Sequence, residues 1–135
     1  MTSLVCPALA AVRVLVVDDD EDGRDMIATV LEKNRALVTT AATAAEALGA
    51  FEREHPRLLI SDIGLPGEDG LSLIRKVRAH AAAKETALTA IAISGYSGGA
   101  EGERMRESGF DAHLTKPVAL DHLLQTITEL LSTPS

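Results

Sequence analysis

Five short apolar runs alternate along this chain with five longer segments of helical period, and that alternation limits the possible folds more than any other feature. The runs occupy residues 12–17, 36–40, 58–60, 88–93 and 110–115. Most are near-continuous stretches of Val, Ile, Leu and Ala, the texture of strands buried on both faces. Between them, Met26, Ile27, Val30 and Leu31 form one helical stripe. Thr43-Ala44-Ala45-Glu46 reads as a capping box, followed by Ala47, Leu48 and Phe51 before Pro56 forbids continuation. Leu71, Ile74, Val77 and Arg78 follow Asp69-Gly70, and Met105 marks a shorter, more polar helix ending near Gly109. Leu120, Leu123, Leu124, Ile127, Leu130 and Leu131 recur at three- and four-residue steps on one face. Strict strand–helix alternation predicts an α/β fold, a doubly wound parallel sheet with right-handed crossovers. The 135 residues, at roughly 150 per domain, leave room for one core. That core is expected over 12–131, between flexible tails at 1–11 and 132–135.

In open parallel sheets, ligands bind beyond the carboxyl ends of the strands. The residues placed there are therefore the candidates for function. The first run delivers Asp18, Asp19 and Asp20; the third delivers Asp62, then Ile63-Gly64-Leu65-Pro66-Gly67. The fourth delivers Ser94 and Gly95, and the fifth delivers Lys116 just before Pro117. Carboxylates packed together raise each other's pKa unless a cation sits among them. Oxygen ligands with no neighbouring His or Cys suit a hard divalent ion, Mg²⁺ above all. Lys116 and Ser94 then offer a positive charge and a hydrogen bond to phosphoryl oxygens. Such a set describes a phosphoryl-transfer site in which a carboxylate can be the nucleophile. Taken singly, each element has a plainer reading: a solvated acidic turn, a helix cap, a loop serine, a surface lysine. Their convergence on one sheet edge favours the joint reading.

Composition excludes several other functions. The chain is 46% apolar and 24% charged, ordinary for a packed protein. Thirteen Lys and Arg against twenty Asp and Glu give a net charge of −7, which argues against nucleic acid or a membrane surface as partner. Phe51, Tyr96 and Phe110 are too few aromatics for a base-stacking platform. Cys6 is the one cysteine, so no intrachain disulfide can form, and a reducing cytoplasm is the expected compartment. It falls in the expected tail and is read as inert. The first eleven residues lack a basic start and carry Pro7, unlike a signal peptide. No apolar run approaches the ~18–20 residues of a membrane span.

With these residues in view, the chain resembles the receiver domain of two-component response regulators, the CheY-like superfamily, over about residues 12–131. VLVVDDDED at 14–22 resembles the family's acidic first strand, and LLISDIGLPGEDGL at 58–71 its phosphoacceptor strand and loop. AIAISGY at 90–96 resembles the hydroxyl-bearing strand, and DAHLTKPV at 111–118 the lysine–proline motif. The resemblance implies a flavodoxin-like (βα)5 fold with a five-stranded parallel sheet. It implies that Asp62 becomes an aspartyl phosphate, that Asp19 ligates Mg²⁺, and that Asp18 binds the metal or its water shell. The backbone carbonyl of Gly64 would be the third protein ligand. Ser94 would hydrogen-bond the arriving phosphoryl group, Lys116 would pair with its charge, and the peptide before Pro117 would be cis. The implied partners are a histidine kinase or histidine phosphotransfer protein as donor, and a downstream target or covalently attached kinase or output domain. The implied response is a change in the face formed by the fourth helical segment, fifth strand and fifth helical segment. The domain is read as a phosphoacceptor rather than an enzyme.

Departures from the family pattern are expected to matter. His113 stands where the family usually has Tyr or Phe; it is either a solvated strand residue or a pH-sensitive switch residue. Gly64 leaves the flank of Asp62 open, and Ala119-Leu120 replaces a more acidic start to the last helix. Gly95, Gly98, Gly99 and Gly102 mark a flexible loop and do not form a P-loop. His55, His80 and His122 have no zinc-site spacing. Two other readings remain. A haloacid-dehalogenase-like phosphatase would use Asp18 as nucleophile and Asp20 as general acid, but leaves Asp62 unexplained and has no later acidic pair or cap. A pseudo-receiver would share the fold without phosphorylation, yet here the acidic, hydroxyl and lysine set is complete. The texture at 108–113 resembles receivers of hybrid histidine kinases. The expectation is a single-domain regulator or the receiver piece of a larger protein.

Overall fold

The computed structural model describes residues 6–65, 70–83, 87–95 and 109–132. A short 3-10 turn, Pro7–Leu9, precedes β1 (Arg13–Val17), α1 (Glu21–Lys33), β2 (Leu37–Ala41), α2 (Ala44–Glu54) and β3 (Leu58–Asp62). There follow α3 (Gly70–Ala83), β4 (Thr89–Ser94), β5 (Ala112–Thr115) and the last helix, here α4 (Leu120–Ser132). The strands form one parallel sheet in the order β2-β1-β3-β4-β5. This is the doubly wound α/β architecture expected from the alternating pattern. The helical segment around Met105 and the glycine-rich loop after Gly95 lie outside the described residues. No helix among the described residues is long and apolar enough to cross a membrane.

Strand periodicity sorts the core into two layers. Val14 and Val16, Leu58 and Ile60, and Ile91 and Ile93 face α1 and α4, whose Ile27, Val30, Leu31, Leu123, Leu124 and Ile127 cover them. Leu15, Val17, Leu59, Ala90 and Ala92 face α2 and α3, packed under Phe51, Leu73, Ile74 and Val77. The five residues of β3, Ser61 and Asp62 included, are all buried. A central strand of this kind can carry a carboxylate only at its mouth, where water and partners reach it.

Local signals account for the ends of the helices. Asp20 caps α1, its Oδ2 accepting from the Gly23 amide at 3.2 Å. Thr43 caps α2 through a 3.1 Å bond from the Glu46 amide. Glu46 reaches back one residue further than a simple capping box, accepting from the Ala42 amide at 3.0 Å. The chain leaves α2 through His55 in the left-handed region, φ 49°, just ahead of Pro56.

One expectation is corrected. Residues 6–11 are no free tail: Cys6 and Leu9 are fully buried between α1 and α4. The Cys6 amide donates to Asn34 Oδ1 at 2.6 Å, its Sγ lies 3.1 Å from Thr128 Oγ1, and the Ala11 amide donates to the Arg35 carbonyl at 2.9 Å. The Cys6 and Leu9 side chains join the apolar cluster that holds Val30 and Leu31 of α1 and Leu124 and Ile127 of α4. Arg78, in turn, is not simply part of the apolar stripe of α3. Its guanidinium donates to the Gly109 carbonyl from Nε at 2.9 Å, to the Leu88 carbonyl, and to Asp111 Oδ2 at 2.7 Å. Asp111 Oδ2 also accepts from the Ala90 amide at 2.8 Å. Arg78 thus ties α3 to the entrances of β4 and β5.

Candidate functional site

The site forms where β1, β3, β4 and β5 end together. Asp18 continues β1, its amide donating to the Ala41 carbonyl at 3.1 Å as the last link to β2. Asp62 is the final residue of β3 and aligns with Ile93 of β4; the Ile63 amide then donates to the Ile93 carbonyl at 3.0 Å. Ser94 ends β4, and its carbonyl accepts from the Lys116 amide at 2.8 Å, which fixes where the lysine leaves β5. The Lys116–Pro117 peptide is cis.

These links bring charged groups into contact. Lys116 Nζ lies 2.7 Å from Asp62 Oδ2 and 3.5 Å from Asp18 Oδ2. One carboxylate oxygen from each of Asp18, Asp19 and Asp62 lies within 4.8 Å of the others. Asp18 and Asp62 are buried, at 2% and 7% exposure, while Asp19 faces solvent. Asp62 Oδ1 accepts from the Gly64 amide at 2.9 Å, so Gly64 touches the acid through its N–H. Ser94 is buried at the same edge. His113 is half-buried on β5, opposite Ala92, outside this cluster, and its Nε2 has no hydrogen-bond partner among the described residues.

The electrostatics follow from that crowding. Burial pushes the Asp18 carboxyl above its ordinary range; the Asp20 amide and Lys116 pull it back, while the charge of Asp62 adds to the rise. For Lys116, burial alone would lower the pKa. The hydrogen bond and charge of Asp62, reinforced by Asp18, outweigh it and hold the ammonium above its ordinary value. Three carboxylates thus share one ammonium. The excess negative charge and the all-oxygen donor set fit a hard divalent cation such as Mg²⁺, with Asp18, Asp19 and Asp62 as its holders.

Three contributors carried no signal in hydropathy. Gly70 opens α3 against the end of β3: a Cβ there would lie 2.6 Å from the Asp62 carbonyl and 2.8 Å from Ile63 Cα. Gly23 lies under the acidic loop, where a Cβ would come within 2.9 Å of Asp20 Oδ2. Arg24 donates from its guanidinium to the Asp18 carbonyl at 2.9 Å. The turn-forming Asp69-Gly70 pair was visible in the sequence. The close approach that requires the glycine is a tertiary fact. Asp20, the general acid of the phosphatase reading, is exposed and occupied as the cap of α1.

The family model for the response regulator receiver domain matches residues 14–128, and the chain belongs to that family. An uncharacterised 14.6 kDa protein of Leptolyngbya boryana is 42% identical over 121 residues, 90% of this chain and 91% of that protein. The sensor histidine kinase RcsC of Escherichia coli is 32% identical over 115 residues, 85% of this chain but only 12% of the kinase. Among solved structures, a CheY-like response regulator receiver domain protein from Methanospirillum hungatei superposes with TM-score 0.82 at 32% identity, covering 91% of this chain and 95% of that one. The flavodoxin-like, CheY-like fold and the receiver assignment in two-component systems stand on these matches together with the sheet order.

Proposed function

We propose that the chain is a working phosphoacceptor: Asp62 takes a phosphoryl group from a histidine kinase or histidine phosphotransfer protein. The observation that carries this reading is the 2.7 Å contact between Lys116 Nζ and Asp62 Oδ2, beside two further carboxylates at the mouth of β3. A lysine held there by the backbone of Ser94 faces the oxygen to be modified and the charge to arrive.

The chemistry divides among this chain's own residues. An Asp62 carboxylate oxygen attacks phosphorus in line and a new P–O bond forms; the P–N bond to the donor breaks with its electron pair left on the imidazole nitrogen, the ring leaving as neutral imidazole with a proton carried on its other nitrogen or taken from solvent. Lys116 exchanges its carboxylate partner for a phosphoryl oxygen. The Gly64 amide holds Asp62 Oδ1, and Ser94 supplies a hydroxyl at the adjacent strand end. Mg²⁺, bound by Asp18, Asp19 and Asp62 with the Gly64 carbonyl as a candidate further ligand, would neutralise charge on the transferring oxygens. The domain is read as a signalling acceptor and not as an enzyme turning over a metabolite, with the cytoplasm as its compartment.

The response starts from Ser94 moving toward the new phosphate and spreads to β5 and α4. His113, half-buried and with no partner for its Nε2 among the described residues, is the switch residue of this reading, because a swing outward would hydrate that nitrogen. Incubation with Mg²⁺ and a small phosphodonor should raise the intact mass by one phosphate. Asp62→Asn should remove that gain, and labelling of this variant at the wild-type rate would contradict the assignment.

A further inference from the structure

We infer that Arg24 is a positioning residue that fixes the acidic loop for cation binding, an inference that rests on the phosphoacceptor reading above. The loop carries three consecutive aspartates with different employments. Asp20 is used as the cap of α1, and Asp18 is buried, its Oδ1 accepting from the Asp20 amide at 3.0 Å. Asp19 is exposed like Asp20, yet a carboxylate oxygen of Asp19 lies within 4.8 Å of those of Asp18 and Asp62. An exposed side chain of this kind is placed by its backbone.

Arg24 meets that backbone twice, once through its main chain and once through its side chain. Its amide donates to the Asp20 carbonyl at 2.9 Å, in the first turn of α1. Its guanidinium reaches back to the Asp18 carbonyl, also at 2.9 Å. β1 pairs with β3 only as far as Val17, so the Asp18 carbonyl lies beyond the ladder, and Arg24 supplies its donor. The Asp18–Asp19 peptide is therefore pinned by the Arg24 side chain, while the Asp20 carbonyl is held by the main chain alone. The guanidinium also brings a second positive charge to a loop crowded with Asp18, Asp19, Asp20, Glu21 and Asp22. Arg24 touches neither phosphorus nor Asp62; its effect runs through Asp19.

The test is a Mg²⁺ titration of the whole chain, followed by calorimetry and by the backbone amide shift of Asp19. Arg24→Ala should weaken Mg²⁺ binding by about tenfold, in the range found when groups orienting metal ligands are removed. Arg24→Lys, which keeps the charge and a donor, should recover most of the affinity. At saturating Mg²⁺ the alanine variant should label from a small phosphodonor at the wild-type rate, with only the half-saturating Mg²⁺ concentration shifted. A role limited to stabilising the fold would lower the melting temperature and leave that concentration alone. Arg24→Gln reads the same loss should the alanine variant fail to fold. Wild-type affinity in both Arg24→Ala and Arg24→Gln, alongside lost affinity in Asp19→Asn, would overturn the inference and leave the phosphoacceptor reading intact. A wild-type chain that binds no Mg²⁺ would overturn both.

Discussion

The two ends of the sheet solve opposite problems with similar side chains. At the amino edge, Arg78 and Asn34 match the polar groups around them. Arg78 binds the Leu88 and Gly109 carbonyls and the Asp111 carboxylate, and Asn34 holds the Cys6 amide while donating to the Val30 carbonyl. At the carboxyl edge, Asp18, Asp19 and Asp62 crowd one ammonium, and Asp18 is held above its ordinary pKa by burial and by its neighbour. One edge is built to hold the fold together. The other concentrates like charge, which the proposed cation and phosphoryl chemistry would use and whose burial opposes folding of the resting domain.

Variants at the two edges should therefore separate stability from chemistry. The largest loss is expected for Leu9→Ala, which empties a fully buried position at the amino edge. Urea unfolding should show a cost of about 3 kcal/mol, with Mg²⁺-dependent labelling of the folded fraction unchanged. Arg78→Ala should cost about 2 kcal/mol by leaving two carbonyls and a carboxylate short of a donor. Arg78→Lys should recover little, because an ammonium cannot span the same fork. A labelling defect in either variant larger than its folding defect would break the comparison.

At the carboxyl edge the sign should reverse. Asp18→Asn replaces a buried carboxylate with a neutral group of the same shape, and should raise stability at neutral pH by about 1 kcal/mol while weakening Mg²⁺ binding. A loss of stability instead would mean that the Lys116 contact outweighs burial. The smallest effect is a pH dependence in Mg²⁺-free buffer. The folded-state pKa of Asp18 lies above its unfolded value, so the folded state binds the proton more tightly. Stability from this group is present at acid pH and declines as pH rises from about 4 through the raised value. Lys116 is raised in the folded state too; its contribution is held below its ordinary pKa and lost in strong alkali. Melting curves of wild type and Asp18→Asn across the acid range should converge at low pH and part toward neutrality.

Much of this was legible in the residues because it depended on local pattern. Alternating runs gave the parallel sheet, and the residue closing each run gave Asp18, Asp62, Ser94 and Lys116. Thr43 and Glu46 announced the start of α2 for the same reason. What remained hidden depended on tertiary approach. Cys6 and Leu9 lack a period long enough to register, and their burial comes from joining the cluster of α1 and α4 residues. Arg24 and Gly70 act through backbone atoms, one by donating to a carbonyl and the other by leaving room beside one. Hydropathy records neither. His113 was singled out by its place in a motif, but only the fold shows that its Nε2 is buried with no partner among the described residues.

Locating the acyl phosphate tests the central claim most directly. After labelling with Mg²⁺ and a small phosphodonor, borohydride reduction converts a phosphorylated aspartate to homoserine, which peptide mapping can place. The account requires homoserine at position 62 and at neither 18 nor 19. Reduction at Asp18, or a labelled chain whose Asp62 is unchanged, would contradict it.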